Sequence, residues 1–333
     1  MTEYRSHLLD CIFYCEGRRY VQNGRLFLNA SGASLKGRFR GKSLKLTLFS
    51  DFTEKDRNAF VRLTVDGKTR RIRLPKGEKV LSFEGEVGEH LFEVIKLTES
   101  QNNSFAVASV WTDGEFLPVK VEDNLNIEFI GDSITTGFGV LARNVSGEYK
   151  TKEQDATKAF PYLVSKAVGA SYQTVAAGGW GIYKSKYSPY AIPDFYDNVD
   201  LVRNQEKWDV SRFVPDLYVV TLGTNDFSYL ADLSEEKGQK ERAATKRRFK
   251  SFLKKLLAFK VPVLLVYGFF EYPDLGVMTE EVRREINSPR LFSLEVESAA
   301  SLHDVRAGHP GRKTHRRAAA RLIRLIRGKK EAD

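Results

Sequence analysis

Cysteine is almost missing from this sequence: Cys11 and Cys15 are the only two in 333 residues. That excludes a disulfide framework, and no matching Cys/His pair follows at zinc-site spacing. Both read as ordinary thiols. Long apolar runs are missing too. None reaches the roughly 18 residues of a membrane span. The opening MTEYRSHLLDCIFYCEGRRY has no basic stretch followed by a long apolar core, so it does not read as a signal peptide. The chain reads as cytoplasmic as it stands, or extracellular if a leader has been trimmed. There is no internal repeat and no low-complexity linker. His7, His90, His303 and His315 show no metal-ligand spacing, and structural or surface roles are expected of them. No metal and no organic cofactor is expected.

What is present is a globular balance. Hydrophobic residues make up 42% and charged residues 29%, which permits a packed core and argues against disorder. The length suggests two domains. The formal charge of +10 invites an acidic partner. The cations are not pooled in one motif, however. Some lie in KRRFKSFLKK (246–255) and others in RKTHRRAAARLIRLIRGKK (312–330). Apolar residues recur at helical spacing in both, so each reads as a surface helix with a wet basic face. A nucleic-acid partner is not expected. A polyanionic polymer or a cell-surface partner is the alternative use of these helices, and nothing in the sequence sets an oligomeric state.

The pattern changes near residue 120. Before it, SLKLTLFS, AFVRLTVDGKTRRIRL, KVLSFEGEVGEHLFEVIKLT and FAVASVWT alternate or run apolar for five to eight residues. Asp66-Gly67 is a hairpin signal. Gly37, Gly41, Gly85 and Gly88 punctuate the other runs. Residues 1–120 therefore predict an all-β sandwich, jelly-roll-like, as an accessory domain. After it, strands predicted at Asn126–Ile130, Tyr172–Ala176, Asp216–Leu222, Val261–Tyr267 and Leu291–Glu295 alternate with helices predicted at Ala159–Val168, Glu235–Phe259 and Gly311–Arg327. That alternation predicts a parallel sheet with helices on both faces, a three-layer α/β/α catalytic domain over 121–333. The boundary falls at roughly 115–124. In such sheets, sites form at the carboxyl ends of the strands.

Those ends carry chemistry. The first strand exits into Gly131-Asp132-Ser133, the second into AAGGWGIY and the third into GTNDFSY; after the last comes AGHPGRKTH. A serine hydroxyl is a weak nucleophile until a base takes its proton, and histidine suits that task. A tetrahedral intermediate needs preorganised donors. Two backbone N–H groups and an Asn amide would supply three.

GDSIT, the glycine after strand two, GTND and the late HP resemble the four sequence blocks of the SGNH (GDSL-type) hydrolases. With KLTES (96–100), the stretch KWDVSRFVPDLYVVTLGTND, GHPGRKTHRRAA and the N-terminal β part, the chain resembles carbohydrate esterase family 2, whose members remove acetyl groups from sugar hydroxyls. The resemblance spans nearly the whole chain. It implies Ser133 as nucleophile and His309 as general base. It implies an oxyanion hole of Ser133 N–H, Gly179 N–H and the Asn225 side chain, with Gly178 as the adjacent alternative. Asp132 organises the turn, and His315 packs or caps the last helix.

One position departs from the pattern. The Asp usually found two or three residues before the His is replaced by Ala307 and Arg306, and Asp304 lies five residues before it. A Ser–His dyad with a backbone carbonyl holding the imidazole is one reading. Asp304 as a shifted third member is another, and a degraded site is the third, because the Arg306 cation would disfavour a protonated imidazole. Trp180, Phe227 and Tyr229 are candidates for a sugar-stacking platform, as is the Tyr- and Pro-rich insertion 184–200; ordinary packing is the plain alternative. The function implied is a carbohydrate O-deacetylase, a serine esterase of the acetylxylan-esterase kind acting on an acetylated carbohydrate. An SGNH esterase or lipase on non-sugar acyl esters, or an inactive carbohydrate-binding protein on the same scaffold, are the alternatives.

Overall fold

The computed structural model describes residues 2–5, 8–119 and 125–330. His7 and the junction expected at residue 120 lie outside them. The N-terminal part is an antiparallel sheet in which β1 (Ser34–Asp51), β2 (Phe60–Val65), β3 (Lys68–Arg73), β4 (Gly77–Lys96) and β5 (Ser104–Thr112) are the main strands. β1 and β4 run for 18 and 20 residues, not the five to eight expected. They pair from Ser34↔Ile95 to Ser50↔Gly77 with one register shift, between Gly41 and Ser43.

The glycines read as punctuation therefore sit inside strands. The reason is steric: a Cβ on Gly37 would strike the Phe92 ring, and one on Gly85 would lie 2.7 Å from the Phe83 ring. Neither glycine has a positive φ, so both stay extended while leaving room for a neighbouring aromatic. The Asp66-Gly67 hairpin forms as expected, with Val65 paired to Lys68 and both turn residues at positive φ, 48° and 76°. That is the geometry of a two-residue primed turn. Leu35, Phe39, Leu46, Leu63, Val94 and Phe105 are buried in one cluster within this unit.

The second unit is a five-stranded parallel sheet. Its strands are β6 (Asn126–Gly131), β7 (Ser171–Ala176), β8 (Leu217–Thr221), β9 (Val263–Tyr267) and β10 (Leu291–Glu295), in the order β7-β6-β8-β9-β10. Its main helices are α1 (Ser133–Thr136), α2 (Phe160–Val168), α3 (Thr224–Leu230), α4 (Glu235–Leu257), α5 (Pro273–Ile286) and α6 (Arg312–Lys330). Side chains alternate across a strand, and here they divide two cores. Phe129, Val219 and Leu264 face α2 and α6, packing on Phe160, Ala318 and Leu322. Ile130, Val220 and Leu265 face the other way, onto Phe249, Leu253, Met278 and Val282 of α4 and α5. The strand order reverses about β6, and ligands bind such sheets at that switch point.

The two units touch along the edge strand β7. The Tyr172 hydroxyl donates to Gly32 O at 3.0 Å and the Thr174 hydroxyl to Ser31 O at 2.6 Å. Asp200, at the end of the 184–200 insertion, accepts from Asn29 Nδ2 at 2.7 Å and Ser100 Oγ at 2.8 Å.

Candidate active site

β6 is buried up to Gly131, where a Cβ would strike Thr135. Asp132 then caps α1, its Oδ1 accepting the Ile134 N–H at 2.9 Å. The cap turns Ser133 out of the strand direction at the first helical position, where N–H groups have no intrahelical partner. Ser133 Oγ lies 2.9 Å from His309 Nε2.

His309 stands on a two-residue turn. Val305–Arg306 pairs with His309–Pro310, and Ala307 and Gly308 turn between them at φ of 48° and 71°. Ala307 N–H bonds Asn144 O at 2.8 Å and Gly308 N–H bonds Val145 O at 2.6 Å, which ties this hairpin to the segment after α1. His309 Nδ1 lies 3.2 Å from Ala307 O. A carbonyl only accepts, so Nδ1 carries the proton and Nε2 is left to accept from Ser133. The ring packs on Phe138 at 4.3 Å and meets the edge of Phe270 at 5.9 Å. That burial pushes the His309 pKa below its ordinary 6.5, and the Ala307 carbonyl pulls the other way.

Asp304 is engaged elsewhere. Its Oδ2 accepts from Thr314 N at 2.8 Å and Thr314 Oγ1 at 3.0 Å, fastening the first turn of α6. Arg306 donates to Val305 O at 2.9 Å and lies 3.9 Å from Asp304 Oδ1.

Of the two glycines after β7, Gly178 gives its N–H to Glu99 Oε2 at 2.7 Å, while its carbonyl accepts from Gln101 Nε2 at 3.0 Å. Gly179 sits at φ 77° with Tyr187 beneath it, and a Cβ there would lie 3.0 Å from the Tyr187 Cβ. The N–H groups of Ser133 and Gly179 meet no acceptor among the described residues. Asn225 follows β8 in the first turn of α3 and is 6% exposed. Its Nδ2 donates to Trp180 O at 2.9 Å and lies 3.3 Å from Asp132 Oδ2. One amide hydrogen is thus fixed on Trp180, and the other is held only by a long bond to Asp132.

Buried acids brace these loops. Asp226 accepts the N–H groups of Ile182, Tyr183 and Lys184 at 2.7, 2.8 and 3.0 Å, which pins the chain beyond Trp180. Burial raises Asp226 to about 6 and Asp132 to about 7, and it raises Glu99 as well. His315, buried against Phe160, accepts the Phe160 N–H at 3.2 Å; burial lowers it to about 4.

Ser133, Gly178, Gly179, Asn225 and His309 line one cavity of about 500 Å3. The aromatic platform needs correcting. Trp180 and Phe227 are only 4% and 5% exposed and belong to the core under α4, where their apolar rings replace water-facing area. Tyr229 is half-buried and does not line the cavity. The rings that do are Phe138, Tyr149, Tyr187, Phe270 and Tyr272. Phe138 lies between the glycines after GDSIT and Tyr187 lies in the flagged insertion, so both had a sequence signal. Tyr149, Phe270 and Tyr272 had none. Glu99 and Gln101, at and just beyond KLTES, reach the site from the N-terminal unit.

Known proteins resemble both units of this chain. A GDSL-like lipase/acylhydrolase family model matches residues 129–290, and a carbohydrate esterase 2 N-terminal model matches residues 15–119. The chain therefore carries a GDSL-like lipase/acylhydrolase domain behind a carbohydrate esterase 2 N-terminal domain. An acetylxylan esterase/glucomannan deacetylase from Cellvibrio japonicus is 29% identical over 255 residues, 72% of this chain and 67% of that protein. Among solved structures, a family two carbohydrate esterase from the same organism superposes with a TM-score of 0.84 at 24% identity, covering 98% of this chain and 97% of that one. One from Clostridium thermocellum, in complex with cellohexaose, gives 0.86 at 20% identity, covering 96% and 99%. At these identities the two superpositions speak to the fold.

Proposed function

We propose that this chain is a carbohydrate O-deacetylase that works through a Ser133–His309 dyad. The observation that carries the reading is the 2.9 Å contact between Ser133 Oγ and His309 Nε2, inside a cavity at the switch point of the sheet. His309 takes the Ser133 proton as Oγ attacks the acetyl carbonyl. The carbonyl π pair moves to oxygen, and the oxyanion is held by the Ser133 N–H, the Gly179 N–H and the Asn225 amide, which leaves Asp132 for it. As the tetrahedral intermediate collapses, the C–O bond to the sugar breaks and His309 gives its proton to the departing sugar oxygen. Water then enters and its oxygen attacks the acyl carbon as His309 takes its proton; the bond to Ser133 Oγ breaks, His309 returns the proton to Oγ, and acetate leaves.

The Ala307 carbonyl does the orienting that an aspartate does in a triad. It fixes the tautomer and the ring plane but adds no full negative charge. A lowered pKa keeps the imidazole neutral and ready as a base at neutral pH. The support for a carbohydrate substrate is the pair of matched domains together with the deacetylase relative and the cellohexaose-bound structure.

The test is acetate release from a panel of acetylated glycans, with long-chain acyl esters as the competing class and Ser133→Ala as control. Ser133-dependent release from the glycans is expected. Turnover of the acyl esters alone would transfer the protein to the lipase reading, and no turnover at all would leave a binding protein.

A further inference from the structure

The two basic helices differ in how their charge is used. On α4, Lys246 pairs with Glu281 at 2.9 Å and Glu285 at 2.5 Å, Lys250 with Glu285 at 2.6 Å and Lys255 with Asp197 at 2.5 Å. Glu235 and Glu236 open that helix and Lys254 and Lys255 close it. The α4 cations that face α5 and the 184–200 insertion are thus paired, and the charges at its ends run with the helix dipole. α6 does the opposite. Arg312, Lys313, Arg316 and Arg317 crowd its first turns, with no acid in the first. Cations there oppose the dipole and repel one another, so this arrangement costs stability.

These four side chains, with Arg143 and Arg306, line a cleft of about 710 Å3. Asp304 is its one acid, and that carboxylate is taken by Thr314. Among the described residues, Arg143, Arg312, Arg316 and Arg317 have no carboxylate within ion-pair distance. The cleft lies directly behind the catalytic cavity. Val140–Arg143, Asp304 and Arg306 line the cleft, while Phe138 and Ala307–His309 line the cavity. The two segments touch, because a Cβ on Gly139 would lie 3.0 Å from Arg306 O and 3.2 Å from the Ala307 Cβ.

We infer that this cleft is an oxyanion subsite for an acidic glycan, engaging carboxylate or phosphate groups on the polymer whose acetyl ester sits at Ser133. Five of the six cations are arginines, whose forked donors match both groups. The concave shape and the wall shared with the catalytic cavity favour a flexible chain crossing from one to the other over a rigid duplex. The inference rests on the deacetylase reading.

The test compares wild type with the triple variant Arg143→Ser/Arg316→Ser/Arg317→Ser at low and at high salt. The substrates are an acetylated glucuronate-bearing xylan, an acetylated phosphorylated glycan, an acetylated neutral glucomannan and p-nitrophenyl acetate. KM for at least one acidic polymer should lie about tenfold below that for the neutral one at low salt, and the gap should close at high salt, because exposed charges are screened. The variant should lose the gap while turning over p-nitrophenyl acetate and glucomannan as wild type does. The acidic arm that responds identifies the anion. Equal KM values for acidic and neutral polymers overturn the inference, as does a variant that keeps the gap. Preferential inhibition by single-stranded oligonucleotide with no acidic-glycan preference also overturns it. If no substrate shows Ser133-dependent turnover, the deacetylase reading fails instead. Affinity electrophoresis in deacetylated glucuronoxylan then decides the cleft alone: retardation of wild type and not of the variant supports it, and equal mobility overturns it.

Discussion

One hairpin, Val305 to Pro310, separates two cavities of opposite character. In front of it lies a space of about 500 Å3 with aromatic and amide walls, closed round Ser133 and His309. Behind it lies a cleft of about 710 Å3 rimmed by cations. The front is built for low polarity: His309 is pressed between Phe138 and Phe270, and burial depresses its pKa. The back is wet, and its arginines reach solvent. The difference shows how a strongly basic protein keeps positive charge off the proposed general base. Arg306 belongs to the back and His309 to the front, although only two residues lie between them.

The largest effect expected from the front cavity is that of Ser133→Ala. With no oxygen to attack, acetate release should fall by roughly 10⁶-fold, as when serine hydrolases lose their nucleophile. The melting temperature should hold, because Ser133 packs little; a change within about 1 kcal/mol is expected. Near wild-type hydrolysis of p-nitrophenyl acetate would remove the serine from the chemistry. Asn225→Ala comes next. Its amide is already aligned by Trp180 O at 2.9 Å, so it donates without reordering. Loss of one such donor reduces kcat by roughly 10²–10³ with little change in KM. A fall in stability with kcat preserved would make Asn225 a turn residue only.

The pH profile tests the polarity of the front directly. The base must be neutral to accept the serine proton, and burial lowers its pKa, so the acid limb of kcat/KM should fall below 6.5. Phe138→Ala lets water to the ring. The protonated form gains most from that water, so the limb should move up towards 6.5. A limb that stays in place would show that the Phe138 ring does not set the polarity at His309.

Much of the front was legible in the sequence because its parts sit at strand exits. Apolar runs set the strands, and Ser133, Gly179 and Asn225 each follow one within a few residues. The βαβ rhythm gave a parallel sheet, while the order of its strands came only from the structure. The pairing of Ser133 with His309, 176 residues on, came from the resemblance to the SGNH sequence blocks. What was not legible depends on long-range packing. Trp180 and Phe227 flank site residues and yet point into the core, since residues adjacent in a turn or helix face different ways. Tyr149, Phe270 and Tyr272 reach the cavity from loops without periodic signal. The long strands β1 and β4 were hidden because glycine reads as a break, whereas here it makes room for rings. The pairing of α4 and the lack of pairing on α6 depend on Glu281, Glu285, Asp194 and Asp197, which are distant in sequence.

Asp304→Asn asks whether the hairpin truly divides chemistry from charge. Asp304 serves the back, through Thr314 N and Oγ1 at 2.8 and 3.0 Å. Both bonds end on Oδ2, so an asparagine with its carbonyl there keeps them, but as a neutral acceptor, and it removes the one acid from the cationic rim. A stability loss of about 1 kcal/mol is expected, because bonds to a charged acceptor are stronger than bonds to a neutral one. At 2–4 °C for each kcal/mol, the melting temperature should drop by roughly 2–4 °C. Turnover should stay within about tenfold. A fall on the order of 10⁴ with an intact fold would mark a true triad acid and dissolve the boundary between the two cavities.

The smallest effect concerns the turn itself. Ala307 holds φ 48°, a left-handed conformation that costs a residue with a Cβ about 1–2 kcal/mol. Glycine removes that strain, but it also enlarges the unfolded ensemble, worth about 0.4–1 kcal/mol against the fold. The two nearly cancel, so Ala307→Gly should leave stability within about 1 kcal/mol of wild type. The carbonyl that holds His309 is set by backbone bonds, Ala307 N–H to Asn144 O and Gly308 N–H to Val145 O, and these survive the substitution. Turnover should therefore stay within about threefold, and the acid limb of the profile should not move. A loss beyond about a hundredfold at unchanged melting temperature would mean that the Ala307 methyl, wedged against Gly139, holds the wall in place. The partition between the cavities would then rest on one side chain and not on the hydrogen bonds of the hairpin.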